Sequence, residues 1–421
     1  MKKNVILIRN DSLYNWIQYI KNFENNVHNN CLDHVSKIAK MLNLLPLSSY
    51  IFIVSGTNGK GSTCYFLEKL FLLSGYTVGL YTSPHLINYK ERIRINGNII
   101  DDIHHIKALS LIESVRHGII LNYFEFITLS ALIIFKKKVL DVIILEVGIG
   151  GRCDPTNIVE PDISIITNVG LDHTEVLGTT LDSIAMEKYG IFRKKKVGIL
   201  GDRLFPESIY RLALKNKILI KKIGQEWELQ TFPHTWNFRY ESFYLKCLPI
   251  PKISLIGSAT ALAAVFASRF NISNDIISKS LNQITLPGRF QIILKNPCVI
   301  LDVAHNPPAA LFLLQQLKNI SSYGKLHAVV GMLKNKDIRN TLLTLIDIVD
   351  FWYCAPLNTV KSVDIIQYKK ILPHNSCFVF DSIKCAFNYS YMCANKKDII
   401  LVFGSFYAVS EIYVYLKYLK K

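Results

Sequence analysis

The chain has 421 residues, with 49 lysines and arginines against 32 aspartates and glutamates for a formal charge of +17, and half of it is hydrophobic. A chain of this length is expected to divide into two cores, and apolar residues are plentiful enough to fill both. The most apolar stretch, residues 129–147, is broken by Lys136, Lys137 and Lys138, so no membrane-crossing helix is expected. The apolar run at residues 5–8 meets Arg9, Asn10 and Asp11 at once, too soon for a secretory leader, and a soluble, cytoplasmic protein is expected. Basic residues are scattered in short runs such as Lys194, Lys195 and Lys196 without interleaved aromatics, so nucleic acid is not expected as a partner. The charge reads as compositional bias, from which a polyanionic substrate would profit. The nine cysteines form no C-x-x-C pair and no Cys/His cluster at zinc spacing, and are expected to be reduced core residues.

In chain order, the first strong element is an apolar strand at residues 50–55. It runs into Ser55-Gly56-Thr57-Asn58-Gly59-Lys60-Gly61-Ser62-Thr63 and a helical pattern at 62–74 that stops at Gly75. Glycines let backbone N–H groups approach phosphate oxygens, a helix start adds positive potential, and Lys60 can reach the terminal phosphates. The spelling departs from G-x-x-x-x-G-K-[ST], because the first spacer is shorter and Gly61 separates Lys60 from Ser62. A ligand-free turn would explain the glycines alone. It would not explain a lysine set between two of them at a strand-to-helix junction, so the loop is read as an ATP site.

Strands are expected next at residues 77–82, 141–147 and 163–168, alternating with helical patterns in the manner of a parallel α/β domain. Ligands of such sheets gather beyond the carboxyl ends of the strands, and Ser83, Glu146 and His173 fall at or just after such ends. Magnesium prefers oxygen ligands and keeps several waters, so a hydroxyl, a carboxylate and nucleotide oxygens form a plausible set, with His173 an unusual member. Singly, each has a structural explanation: Ser83 can shape the turn before Pro84, Glu146 can balance a lysine, and His173 can cap the chain after Asp172. Their shared position favours the metal reading. Residues 200–250 are too mixed to assign. Leu286-Pro287-Gly288-Arg289-Phe290 reads as a hinge, and strands at 298–303, 326–331, 350–355 and 398–403 begin a second α/β series.

The spelling of several segments resembles the folylpolyglutamate synthase and dihydrofolate synthase family, within the Mur ligase superfamily. They are the phosphate loop, Tyr81-Thr82-Ser83-Pro84-His85-Leu86, Glu146-Val147-Gly148-Ile149-Gly150-Gly151-Arg152 and Leu171-Asp172-His173-Thr174. The likeness continues through Glu187-Lys188-Tyr189-Gly190-Ile191-Phe192, the hinge, Asp302-Val303-Ala304-His305-Asn306-Pro307 and Gly404-Ser405-Phe406. It covers nearly the whole chain in the family's order.

The resemblance implies an α/β protein with a Mur-ligase-type P-loop ATPase domain, residues 1–287, and a Rossmann-like glutamate-ligase domain, residues 288–421, that closes over a cleft. The implied reactions are ATP-dependent addition of L-glutamate to dihydropteroate and to reduced folates through an acyl phosphate. By matching position, Gly56, Thr57, Asn58, Gly59, Lys60, Gly61, Ser62 and Thr63 would hold ATP, with Asn168, Arg289 and Asp302 as further nucleotide contacts. Ser83, Glu146 and His173 would hold magnesium, and Lys188 matches a lysine that is carbamylated in this superfamily to help organise a second ion; an unmodified Lys188 in an ion pair is the alternative. His305 and Ser405 would contact glutamate, and Lys60, Lys188 and His305 carry the implied catalysis. The segment from Leu121 to Phe126 resembles the one that offers an aromatic ring to the pterin, with Asn122 beside Phe124 as the stacking residue. Cys153, Asp154 and Pro155 would line the same pocket, where a carboxylate can accept two donors side by side. A buried core aromatic is the plain alternative for Phe124. The resemblance leaves room for a monovalent cation and implies a monomer.

Three places depart from the family's pattern: Pro155 in place of a common alanine, Gly257 in place of a common asparagine near the nucleotide, and residues 27–35. A peptidoglycan-precursor ligase would need a different substrate domain ahead of the loop, and the 54 residues before Ser55 favour the folate branch instead. A nucleotide-binding scaffold without ligation, or a basic nucleic-acid binder, are the readings from other classes.

Overall fold

The structure is a computed structural model that describes residues 12–23, 32–320 and 323–419. It divides into two compact units, Met1–Ile284 and Thr285–Lys421. Part of the departing 27–35 segment, residues 27–31, lies outside the described residues.

The first unit is built on an eight-stranded sheet. Its strands are β1 (Tyr50–Ser55), β2 (Val78–Tyr81), β3 (Ile93–Ile95), β4 (Asn98–Ile99), β5 (Val142–Glu146), β6 (Ile163–Ile166), β7 (Val197–Leu200) and β8 (Leu219–Lys222). They lie in the order β4-β3-β2-β5-β1-β6-β7-β8, with β2, β5, β1, β6, β7 and β8 parallel, β3 antiparallel to β2 and β4 antiparallel to β3. The central strands are apolar on both faces because helices cover both. On β1, Ile51 and Ile53 join a core with Phe126, Leu129 and Ile133 of the helix Tyr123–Lys136, while Phe52 turns the other way onto Phe71 of the helix Lys60–Leu73, 5.5 Å between ring centroids. Register sets Val54 beside Glu146 and Ser55 beside Ile166, so β5, β1 and β6 end level with one another. That is the edge at which the phosphate loop leaves β1.

The unassigned 200–250 region holds β7's end, the helix Glu207–Lys215, β8 and a separate antiparallel sheet of β9 (Trp227–Thr231), β10 (Thr235–Tyr240) and β11 (Phe243–Pro249), ordered β11-β10-β9. On β10, Trp236, Phe238 and Tyr240 alternate inward, and the Phe238 and Tyr240 rings meet Phe266 at 5.7 and 5.8 Å. That period-two pattern, Thr-Trp-Asn-Phe-Arg-Tyr, is a strand signal visible in the sequence.

The second unit has six strands: β12 (Gln291–Lys295), β13 (Cys298–Leu301), β14 (Leu326–Val330), β15 (Phe351–Cys354), β16 (Cys377–Val379) and β17 (Ile399–Phe403), in the order β12-β13-β17-β14-β15-β16. Only β12 is antiparallel to its neighbour. Trp352, Leu401, Phe403 and Val330 fill its core. All eight strands expected from the sequence are present, most of them a residue or two shorter at their ends. No helix among the described residues is long and apolar enough to cross a membrane.

The cysteine expectation needs correction. Cys64 and Cys354 are buried free thiols, but Cys247, Cys385 and Cys393 are exposed and Cys153 is disulfide-bonded. A disulfide joins residues that the fold brings together, and the absence of a C-x-x-C pair says nothing about partners distant in sequence.

Candidate active site

The phosphate loop follows from one close approach. Gly56 has φ 147, and a Cβ there would lie 1.8 Å from Thr167 Oγ1, so only glycine fits. Thr167 Oγ1 donates to the Asn58 carbonyl at 2.6 Å, Asn58 N–H donates to Asn168 Oδ1 at 2.8 Å, and Thr57 N–H donates to the Asn168 carbonyl. The structure thus brings Asn168 to the loop as its anchor. Gly59, at φ 82, starts the helix Lys60–Leu73 with no side-chain cap, which leaves Gly61, Ser62 and Thr63 in its first turn. Lys60 Nζ arches back over the loop to the Gly56 carbonyl at 2.8 Å, placing an ammonium over the backbone cradle.

Glu146 closes β5 and is 4% exposed, and its Oε2 accepts the Ser83 N–H at 2.9 Å. These two candidate ligands are brought together at the level edge beside the loop. His173 stands apart in the chain at φ 51, a left-handed conformation costly for a non-glycine residue, ahead of the short helix Thr174–Leu177. No three His, Cys, Asp or Glu side chains among the described residues form a metal cage. The candidate set contains only one carboxylate and one imidazole of those types, so it fits an ion that takes its remaining oxygens from phosphate and water, as magnesium does.

Lys188 lies on the helix Leu181–Tyr189 and is 2% exposed. The loop after β5 clamps it: Arg152 N–H donates to the Glu187 carbonyl at 2.7 Å, the Arg152 guanidinium pairs with Glu187, and a Cβ at Gly151 would meet Lys188 Cα at 3.2 Å. Burial, with Lys60 nearby, brings the Lys188 ammonium down to about 7, against the pull of Asp172. A lysine that is half neutral at pH 7 has a nucleophilic amine, the form that combines with carbon dioxide.

The aromatic pocket is organised by caps. Asn122 accepts the Glu125 N–H and donates its own N–H to Glu125, a capping box that starts the helix Tyr123–Lys136 and presents Phe124 on its first turn. Asn122 is therefore engaged with the backbone. Phe124 is half-buried and packs against the core in which Phe126 beside it is fully buried, so part of its ring stays uncovered. A Cβ on Gly148 would lie 2.6 Å from Phe124 Cζ and 3.2 Å from Asp154 Oδ2, which puts the ring and the carboxylate together over a glycine floor. Asp154 carries a load the sequence did not reveal: Oδ2 accepts from Gly148 N–H and Ile149 N–H, and Oδ1 accepts from the Thr156 N–H and hydroxyl. Those four donors use the four lone-pair directions of a carboxylate. Pro155 opens a short 3₁₀ turn, Pro155–Ile158, where a missing N–H costs nothing, so that departure is absorbed.

In the second unit, Asp302 is 7% exposed and accepts the Phe290 and Ala304 N–H groups at 2.8 Å. Burial pushes its carboxyl up despite those bonds and nearby Arg289. Phe290 sits at φ 41, and the Phe406 ring lies 6.3 Å from the His305 ring and 5.5 Å from the Arg289 guanidinium. Phe406 was not singled out from the sequence, although its motif was. His305 Nδ1 faces the Val303 carbonyl at 2.8 Å and so carries the proton, making Nε2 the acceptor nitrogen. Ser405 accepts the Ala408 N–H at the start of the last helix.

The Mur ligase middle domain matches residues 54–278, and the Mur ligase glutamate ligase domain matches residues 288–406. A dihydrofolate synthase/folylpolyglutamate synthase of Buchnera aphidicola subsp. Acyrthosiphon pisum is 46% identical over 404 residues, covering 96% of this chain and 98% of that one. The Escherichia coli protein of the same name is 42% identical, covering 95% and 94%. This chain belongs to the Mur ligase family. The structure of E. coli FolC in complex with DHPP and ADP aligns with a TM-score of 0.95 at 40% identity, over 98% of this chain and 99% of that one. A bifunctional folylpolyglutamate synthase/dihydrofolate synthase with Mn, AMPPNP and L-glutamate bound aligns with a TM-score of 0.92 at 39% identity, over 97% and 99%.

Two predictions follow from the geometry of this Mur ligase. Gly148→Ala must displace the Phe124 ring, and a rise of at least tenfold in the KM for a pterin substrate is expected, with the thermal midpoint little changed; an unaltered KM would detach Phe124 from substrate binding. For Lys188, the folded pKa lies below the unfolded one, so the unfolded chain binds more protons between about pH 7 and 10.5, and stability rises with pH across that window. Urea unfolding should show a slope of up to about 1.4 kcal/mol per pH unit in wild type that Lys188→Met abolishes, and parallel pH profiles would contradict the burial argument.

Proposed function

We propose that the chain is an ATP-dependent carboxylate–amine ligase that adds L-glutamate to dihydropteroate, forming dihydrofolate, and to reduced folates, forming folylpolyglutamates. The observation that carries this reading is the half-buried Phe124 set over Gly148 beside Asp154, in the same unit as the Lys60 phosphate loop. The names of the relatives agree with it.

In this reading the acceptor carboxylate attacks the γ-phosphorus of ATP, the bond to the β–γ bridging oxygen breaks, and ADP leaves. Lys60 and the loop N–H groups offset the charge on the phosphoryl oxygens, since phosphoryl transfer depends mainly on positioning and electrostatics. Glu146, Ser83 and His173 would hold magnesium, which supplies charge neutralisation at the phosphates, and Lys188 as a carbamate would help hold a second ion. The α-amino group of glutamate then attacks the acyl phosphate carbonyl and phosphate departs. His305, with its acceptor Nε2, and Ser405 would contact that glutamate, Asn168 would order the nucleotide through the loop it anchors, and Arg289 and Asp302 are assigned to the nucleotide by the resemblance alone. Asp154 would accept from the pterin only through lone pairs that backbone N–H groups and Thr156 already occupy, so its first role is to shape the pocket. The protein is proposed to act as a cytoplasmic monomer.

The test is ADP formation with ATP, magnesium and L-glutamate, supplying dihydropteroate in one assay and tetrahydrofolate in another. Activity with both is expected, activity with tetrahydrofolate alone would reduce the reading to a folylpolyglutamate synthase, and activity with neither would overturn it. Lys60→Ala should lower turnover at least a hundredfold with either acceptor. Near-normal turnover in that variant would remove the loop from catalysis.

A further inference from the structure

Arg92 is 7% exposed, and among the described residues no carboxylate lies within ion-pair distance of it. The other well-covered arginines of this unit are matched: Arg94 with Glu68, Arg116 with Glu113, Arg193 with Glu160. Arg92 instead donates through Nε to His85 Nδ1 at 2.7 Å and lays its guanidinium 5.8 Å from the Tyr123 ring centroid. A buried guanidinium whose forked N–H donors meet no anion is costly unless a ligand supplies one. Since Nδ1 accepts from Arg92, the His85 proton sits on Nε2, and the pair presents only N–H donors.

The location is specific. Arg92 ends the turn Tyr89–Arg92, and its carbonyl accepts the Thr82 N–H at 2.9 Å, one residue from Ser83 and its bond to Glu146. On its other side, Tyr123 adjoins Phe124, and the Tyr81 ring, which feels the field of both Arg92 and Asp154, is 6.0 Å from Phe124. The donors therefore stand between the aromatic pocket and the metal-side corner.

We propose that Arg92, with His85, forms a carboxylate subsite for the α-carboxylate of a glutamate already attached to the folate acceptor, and so sets the preference for glutamylated acceptors over dihydropteroate. This rests on the acceptor chemistry proposed above. One carboxylate of the acceptor must go to the phosphoryl group. Dihydropteroate has no other, whereas a folate carries an α-carboxylate a few carbons from the reacting γ-carboxylate, and a planar guanidinium grips such a group through two parallel bonds.

The test compares tetrahydrofolate with tetrahydropteroate, which has the same pterin without glutamate, by equilibrium binding to wild type, Arg92→Met, Arg92→Lys and His85→Gln. The ratio of the two affinities should fall at least tenfold in Arg92→Met, less in Arg92→Lys, and in the same direction in His85→Gln. The ratio of kcat/KM for tetrahydrofolate over dihydropteroate should follow, carried by KM. Equal weakening of both ligands, or an unmoved ratio, would overturn the subsite and leave Arg92 a structural residue. If Arg92→Met does not fold, the Arg92→Lys and His85→Gln ratios decide alone. Absence of ligase activity in the wild type would fail the functional reading instead, and the binding ratios remain readable without it.

Discussion

The site of the first unit depends on the volume that residue 56 does not occupy. Thr167 Oγ1 fills the space a Cβ would need, and from there it bonds the Asn58 carbonyl and reaches the Ser55 carbonyl at 3.3 Å. Thr167, just after β6, thus holds both ends of the loop that leaves β1, its hydroxyl on the Asn58 carbonyl and its N–H on the Ser55 carbonyl at 2.9 Å, and Asn168 holds its middle. This is possible because the parallel register makes β1 and β6 end together. The shape of the loop is therefore set by bonds within the protein itself. The same level edge carries Glu146 at the end of β5, so cradle and carboxylate are products of one strand register.

Around that edge the protein buries charge at its own expense. Glu146, Lys188 and Arg92 are all less than a tenth exposed, and Lys188 answers burial by losing its proton near neutrality. Bringing an ammonium down from 10.5 to about 7 reflects on the order of 5 kcal/mol against the charged form. A core of this size can absorb such a cost, and the return is an amine with nucleophilic character and cationic donors that water does not screen. Arginines with no chemistry to perform, such as Arg116 and Arg193, are paired with acids in the ordinary way.

What the sequence made legible follows from what repeats in it. Buried parallel strands are continuous apolar runs, and glycine at a strand-to-helix junction is a backbone demand, so the β1 strand, the loop and the Gly75 stop could be read directly. The second α/β series was legible for the same reason. Side-chain loads were not, because a cap or a bridging carboxylate is defined by donors that only folding assembles. Asn122 reads as a polar residue near an aromatic and proves to be half of a capping box, and Asp154 reads as a ligand and proves to hold two turns together. The disulfide at Cys153 escaped because spacing rules see only neighbours in sequence. The small sheet β9–β11 escaped for a different reason, since β9 is short and largely uncovered and β11 buries Leu245 and Leu248, three apart, with a register shift in its pairing to β10.

The Gly257 departure illustrates how a lost side chain can be compensated by backbone. Gly257 lies in the first turn of the helix Leu255–Phe266, which packs against the helix of the phosphate loop. Its carbonyl accepts the Thr63 hydroxyl at 3.1 Å, and a Cβ there would press at 3.2 to 3.3 Å on Ser62, Ser254 and Thr63. A larger residue would have to push the two helices apart or turn its side chain outward past Ser62. Glycine lets the helices close and uses a carbonyl to fix Thr63, a residue of the loop itself. Glycine in this chain therefore gives the helix of the phosphate loop a tighter seat.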